Sequence, residues 1–246
     1  MLRAVLLDLG GTLAYDSLGG RATEEAYRAV AEYLRAMGHD VSAEELAEVH
    51  LEVREELGRR IAGQHLELDM AYAYWLTLER LGVKPTLSLV SGCLEAYYGT
   101  KTKGVRLYPE VEGVLESLRA AGFRMAIVSN ASVGFDYIVD RLRLRRYFDA
   151  LVASYRVMWK KPHPLIFLKA LRLLGVGARE AVMVGDSLEA DVLGAKRLGM
   201  RAVWVVRSED VDVEEALDAV ELRPDAVVRS LDGLSEAIAA MLSSPG

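Results

Sequence analysis

Ala4-Val5-Leu6-Leu7-Asp8-Leu9-Gly10-Gly11-Thr12-Leu13 begins as an apolar run, ends that run on a carboxylate and breaks into glycine. A short aliphatic run closed by a turn signal reads as a strand buried on both faces. Asp8 is then held at the end of that strand. Gly10 and Gly11 let backbone N–H groups approach an anion closely. By itself the stretch is also compatible with a strand that merely stops at an aspartate. The rest of the chain decides between the two readings.

Runs of the same kind recur at residues 124–129, 150–154, 181–185, 202–206 and 226–228, beside the first at 4–9. Helical periodicity fills the intervals at 111–121, 135–144, 165–174, 188–198 and 230–242. Gly122, Gly175 and Gly199 follow three of these, as helix stop signals do. Alternation of this kind predicts an α/β fold, a doubly wound parallel sheet with helices on both faces. The first strand breaks the rhythm, because no second strand is legible for about a hundred residues after Leu13. Helical patterns at 22–37, 43–62 and 71–81, with a fourth at 90–98, predict an inserted all-α domain. The expected division is a core of residues 1–16 and 105–246 and a helical domain of 17–104. The closing Ser243-Ser244-Pro245-Gly246 reads as a frayed tail.

The chain has 246 residues, 52% of them hydrophobic, so a large core is available. A net charge of −6 argues against nucleic acid or an anionic membrane as a partner. No run of apolar residues is long enough for a transmembrane helix, and Asp8 interrupts any signal-peptide pattern. Cys93 is the only cysteine, which excludes an internal disulfide and points to a reducing, cytoplasmic setting.

In open parallel sheets ligands bind at the carboxyl ends of strands. Four segments fall there: Asp8; Ser129-Asn130; Lys160-Lys161-Pro162-His163-Pro164; and Gly185-Asp186-Ser187 with Asp191 one helical turn on. Each has an ordinary alternative as a turn, a cap or a solvated loop charge. Their common order and place favour one crevice. Carboxylates with carbonyl oxygens nearby suit Mg²⁺. A cation and N–H or O–H donors beside them suit a phosphate.

These four segments resemble the motifs of the haloacid dehalogenase-like (HAD) superfamily, in its phosphatase branch. The match spans residues 1–16 and 105–246, and the insertion is similar to the family's helical C1 cap. The resemblance implies that Asp8 is a nucleophile forming an aspartyl-phosphate, which water hydrolyses. It implies Mg²⁺ held by Asp8, Asp186 and the Gly10 carbonyl, with Asp191 in support. Gly10, Gly11, Ser129, Asn130 and Lys161 would bind the phosphoryl group. Lys161, directly before the proline, fits the motif better than Lys160, and would keep Asp8 ionised. The expected partner is a small phosphorylated metabolite, and the chain is expected as a monomer or homodimer.

One position departs from the family's pattern. Its phosphatases carry a second aspartate two residues after the nucleophile, as general acid and base; here that residue is Gly10. Such a group contributes about 10²–10⁴ in rate. Three consequences stand open: substrates with good leaving groups, a substitute such as Asp16 or His163, or weak turnover with a binding or regulatory role. Dehalogenation is disfavoured, because the family's dehalogenases work without metal and Asp186 with Asp191 makes a metal site. Within the cap, Arg21, Arg54, Arg59, Arg60, His65 and Tyr72 are candidate substrate contacts. Cys93 reads as buried filler.

Overall fold

The computed structural model describes residues 1–243; Ser244, Pro245 and Gly246 of the expected tail lie outside them. In chain order the strands are β1 (Ala4–Leu7), β2 (Ala14–Asp16), β3 (Val105–Leu107), β4 (Arg124–Ser129), β5 (Ala150–Ala153), β6 (Ala181–Gly185), β7 (Arg201–Val205) and β8 (Ala226–Val228). The helices are α1 (Gly20–Ala36), α2 (Ala43–Arg60), α3 (Met70–Arg80), α4 (Leu87–Lys101), α5 (Val111–Ala120), α6 (Gly134–Arg141), α7 (Ser154–Val157), α8 (Pro164–Leu174), α9 (Gly194–Arg197), α10 (Val213–Asp218) and α11 (Leu234–Ser243). The chain packs as two units, one of Met1–Tyr15, Leu107–Asn130 and Arg143–Gly246, the other of Asp16–Arg106 and Ala131–Leu142.

The first unit is built on a six-stranded parallel sheet in the order β5-β4-β1-β6-β7-β8. Its central strands are largely apolar because both faces are covered. Leu6, Val128, Met183 and Trp204 enter one apolar layer. Their neighbours Val5, Leu7, Ile127, Val182 and Val203 are equally buried on the other face. The chain runs from β4 out to β5, then returns to β6 on the far side of β1. Strand order therefore reverses at β1, the switch point where a crevice opens beyond the strand ends. Leu7 pairs with both Ile127 and Val184, so the residues that follow emerge level on all three central strands.

The second unit is helical. Tyr27, Val30 and Leu34 of α1 share one core with Leu46 of α2, Tyr74 and Leu78 of α3, and Cys93 and Tyr97 of α4. Ser42, Asp69 and Thr86 cap α2, α3 and α4 by accepting backbone N–H bonds in the first turn.

Several elements differ from the sequence reading. Residues 14–16 and 105–107 form a two-stranded sheet, β2 with β3, where no strand was expected. Three-residue strands carry too few side chains to show a period. The segment 131–142 packs with the helical unit, outside the 17–104 range expected for it, because Val133 and Tyr137 join that unit's apolar core. The helix expected at 188–198 is a wide π turn over Leu188–Leu193 followed by α9. The short helices α7 and α10 were not anticipated.

Candidate active site

Asp8 leaves β1 still in register with β6, its N–H donating to the Val184 carbonyl at 2.9 Å. The chain then folds over itself. Gly11 donates to Ala14, and Leu13 and Ala14 both donate to the Leu9 carbonyl. Gly11 sits in the left-handed region at φ +69, and a Cβ there would lie 2.1 Å from Asp186 Oδ2. Glycine is therefore required at 11 on two counts. Gly10 has neither constraint: its φ is not positive, and a Cβ there would meet nothing within 4 Å.

Lys161 reaches this strand end from the loop before α8. Its Nζ lies 2.8 Å from Asp8 Oδ1 and 2.6 Å from Asp191 Oδ1, and donates to the Val128 carbonyl at 2.8 Å. The three ammonium protons thus have three partners, and the residue is only 4% exposed. Burial alone would push its pKa down; the Asp191 and Asp8 carboxylates outweigh that and hold it above the usual lysine value.

Asp191 is 1% exposed and accepts from the Ser187 N–H at 3.0 Å. Burial pushes its pKa up to about 6, against the pull of Lys161. Gly185 makes room for it, since a Cβ at 185 would lie 2.1 Å from Asp191 Oδ2. Asp186 is the solvent-open member of the group. Partial desolvation by the atoms crowding its base raises its pKa, and the Asp8 charge adds to that. Trp204 Nε1 donates to its backbone carbonyl at 2.9 Å and so fixes the turn after β6. Ser129 ends β4 and is buried. The Asn130 side chain pairs with the Lys161 peptide: Nδ2 donates to the Lys161 carbonyl and Oδ1 accepts from the Lys161 N–H.

The structure thus brings Asp8, Lys161, Asp186 and Asp191 together, with Ser129, Asn130 and the Gly10–Gly11 turn at the same strand ends. Asp8, Asp186 and Asp191 each offer an oxygen within 4.8 Å of the others. Three carboxylates face one ammonium, so negative charge is in excess. An all-oxygen, over-charged set of this kind fits Mg²⁺.

The other candidates have different work. Asp16 accepts from the Leu18 N–H, within the helical unit. His163 caps α8 and stacks on Trp159 with ring centroids 3.9 Å apart. Arg59 and Arg60 pair with Glu55 and Glu56 along α2. Arg54 acts on the buried phenols of Tyr27 and Tyr97, whereas Tyr72 is exposed. His65 holds a left-handed backbone at φ 54, and Arg21 lies exposed near the start of α1. Cys93 is buried, and burial pushes its thiol up to about 12, so it is no nucleophile. No helix among the described residues is long and apolar enough to cross a membrane.

Two contributors were missed by the sequence reading. Trp204 looked like one more buried strand residue. Arg207, two residues beyond β7, carries no local signal, and only its tertiary contacts distinguish it.

The family model described as haloacid dehalogenase-like hydrolase matches residues 2–199. The chain belongs to the haloacid dehalogenase-like hydrolases. A glyceraldehyde 3-phosphate phosphatase of Methanopyrus kandleri is 36% identical, covering 89% of this chain and 90% of the relative. A ribulose-1,5-bisphosphate 5-phosphatase of Halopiger xanaduensis is 31% identical, covering 97% and 100%. Among solved structures, a 2-haloacid dehalogenase from Pseudomonas syringae superposes with a TM-score of 0.73 at 27% identity, covering 98% and 100%. This HAD-like hydrolase is therefore an enzyme, and the proteins it is similar to are named as phosphatases and as a dehalogenase.

Proposed function

We propose that this HAD-like hydrolase is a Mg²⁺-dependent phosphomonoesterase of a small phosphorylated metabolite, working through an aspartyl-phosphate on Asp8. The observation that carries the reading is Lys161 held between Asp8 and Asp191, with Asp186 as a third carboxylate on the same strand ends. The phosphatase names of two curated relatives support it, and sugar phosphates are the first substrates to try.

Asp8, Asp186 and the Gly10 carbonyl would hold the metal, with Asp191 behind them. When bound, the ion offsets the negative charge of carboxylates and phosphoryl oxygens. The remaining chemistry falls to the chain. A carboxylate oxygen of Asp8 attacks phosphorus, and the bond from phosphorus to the ester oxygen breaks. The Lys161 ammonium keeps Asp8 anionic and neutralises charge as it develops. Ser129 and the Gly10 backbone N–H bind phosphoryl oxygens, the Gly11 N–H being held by the Ala14 carbonyl. Water then attacks the phosphorus of the aspartyl-phosphate, which releases inorganic phosphate and regenerates Asp8.

Gly10 supplies no proton to the departing oxygen. The leaving group departs as an anion or takes its proton from water, so turnover depends steeply on leaving-group pKa. We infer a slow enzyme on alkyl esters and a faster one on aryl esters. Phosphate release from an aryl and an alkyl phosphate, with and without Mg²⁺, tests the reading. Equal rates on both esters would remove the missing-acid inference. Halide release from 2-chloropropionate, with no phosphate ester turned over, would replace the phosphatase reading.

A further inference from the structure

Arg207 is a mostly buried cation for which the proposed chemistry has no task. Its Nη1 pairs with Glu110 Oε1 at 2.5 Å, and its Nη2 donates to the Thr12 carbonyl at 2.7 Å. Its Cζ lies 3.7 Å from the centre of the Tyr108 ring. Tyr108 in turn donates its N–H to the Leu13 carbonyl and packs on Tyr15 with centroids 4.9 Å apart. One guanidinium therefore joins three stretches distant in sequence: the turn after Asp8, the segment entering α5, and the end of β7.

We propose that Arg207 is a positioning residue for catalysis, holding the 9–14 turn, and with it Asp8 and the Gly10–Gly11 backbone, through the Thr12 carbonyl. The turn needs such a tie. Its own bonds close on Leu9 and Ala14, and Gly10 and Gly11 give it little stiffness. Thr12 is fully buried, yet its hydroxyl finds no hydrogen-bond partner among the described residues, so it does little to anchor the turn. Arginine suits the task for geometric reasons. Its planar fork serves Glu110 and Thr12 at once while its face covers Tyr108; a lysine ammonium is a point charge on a flexible stem. Displacement of a reacting group by about 1 Å costs roughly a hundredfold in rate, so a tie of this kind registers in turnover.

The catalytic part of this inference rests on the phosphatase reading; the hold on the turn does not. The test therefore compares the full-length wild type with Arg207→Lys and Glu110→Gln in two measurements. The first is amide hydrogen exchange of residues 9–14 in metal-free protein, read against sheet amides of the same sample. Arg207→Lys keeps a charge for Glu110 but loses Thr12, so exchange in the turn rises about tenfold while the sheet is unchanged. Glu110→Gln leaves the Thr12 bond in place and leaves the turn near wild type. The second is steady-state aryl phosphate hydrolysis, where Arg207→Lys lowers kcat about tenfold with KM nearly constant. Turn exchange unchanged in Arg207→Lys, or raised as much by Glu110→Gln, overturns the inference. So does an unaltered kcat in an active enzyme. A wild type that releases no phosphate sinks the phosphatase reading instead, and the exchange result still decides the hold on the turn.

Discussion

Asn130 and Lys161, thirty-one residues apart, grip each other through a side-chain amide and a peptide. Nδ2 donates to the Lys161 carbonyl at 3.0 Å, and the Lys161 N–H donates to Oδ1 at 2.6 Å. The same lysine sends its ammonium back to the Val128 carbonyl, two residues before Asn130. The end of β4 and the loop before α8 are thereby locked at both ends of one side chain. Asn130 thereby positions Lys161, and this pair uses only one of its two Nδ2 protons. Its replacement by alanine leaves a part-buried N–H and C=O unmet, which costs about 1–3 kcal/mol of stability. Thermal melts and steady-state kinetics of Asn130→Ala should show that loss together with a kcat lowered about ten- to a hundredfold.

Asp8→Asn should abolish turnover without unfolding the protein. Lys161 would keep Asp191 and the Val128 carbonyl as partners, so its buried charge stays paired. A fall in kcat of at least about a thousandfold, with an unchanged circular dichroism spectrum, is the expected result. Retained activity would remove Asp8 from the role of nucleophile.

Gly10 and Gly11 should respond in opposite ways to side chains. Gly10→Asp places its Cβ in open space. If the carboxyl supplies the missing proton, hydrolysis of alkyl phosphates gains about 10²-fold relative to aryl phosphates. Gly11→Ala meets Asp186 Oδ2 at 2.1 Å and a left-handed backbone. The backbone alone costs about 1–2 kcal/mol. Melting temperature and activity should both fall, whichever ester is used.

His50 predicts a pH-dependent stability. It is fully buried, stacked on Tyr74 with centroids 4.2 Å apart, and its Nδ1 lies 3.0 Å from Thr77 Oγ1. Thr77 already donates its hydroxyl proton to the Ala73 carbonyl, so it accepts from a neutral, Nδ1-protonated imidazole. Burial lowers the pKa from 6.5 to about 3, with the Arg54 charge adding to it. The folded state thus refuses a proton that the unfolded state takes. This stabilising contribution is complete above pH 6.5 and is lost as pH falls towards about 3, by about 1.4 kcal/mol per pH unit. Denaturant melts of wild type and His50→Leu across this range isolate the effect. Equal pH slopes would refute it.

The parallel sheet and the strand-end residues were legible because both are periodic or punctuated signals. A strand buried on two faces must be aliphatic along its whole length, and Asp8 and Gly185-Asp186 interrupt that composition where the strands end. Asn130 was legible as a strand-end residue but its grip on Lys161 was not, since that partner lies thirty-one residues away. Arg207 left no mark at all. An arginine after a strand has the same local composition whether it points to water or ties a catalytic turn. The helix 134–141 was assigned to the core for a related reason: its own periodicity is sound, and only Tyr137 stacked on Tyr98 reveals which unit receives its apolar face.

The open space beside position 10 also bears on descent. A glycine codon ending in a pyrimidine becomes an aspartate codon through a single base change, and the backbone here would accept the new residue without rearrangement. Lineages carrying this scaffold can therefore gain or shed an acid at that point without first remodelling the protein, and reaction scope can drift faster than architecture. At position 11 the same mutational step would break the molecule, so selection on these adjacent glycines acts on different properties: the one answers to chemistry, the other to shape.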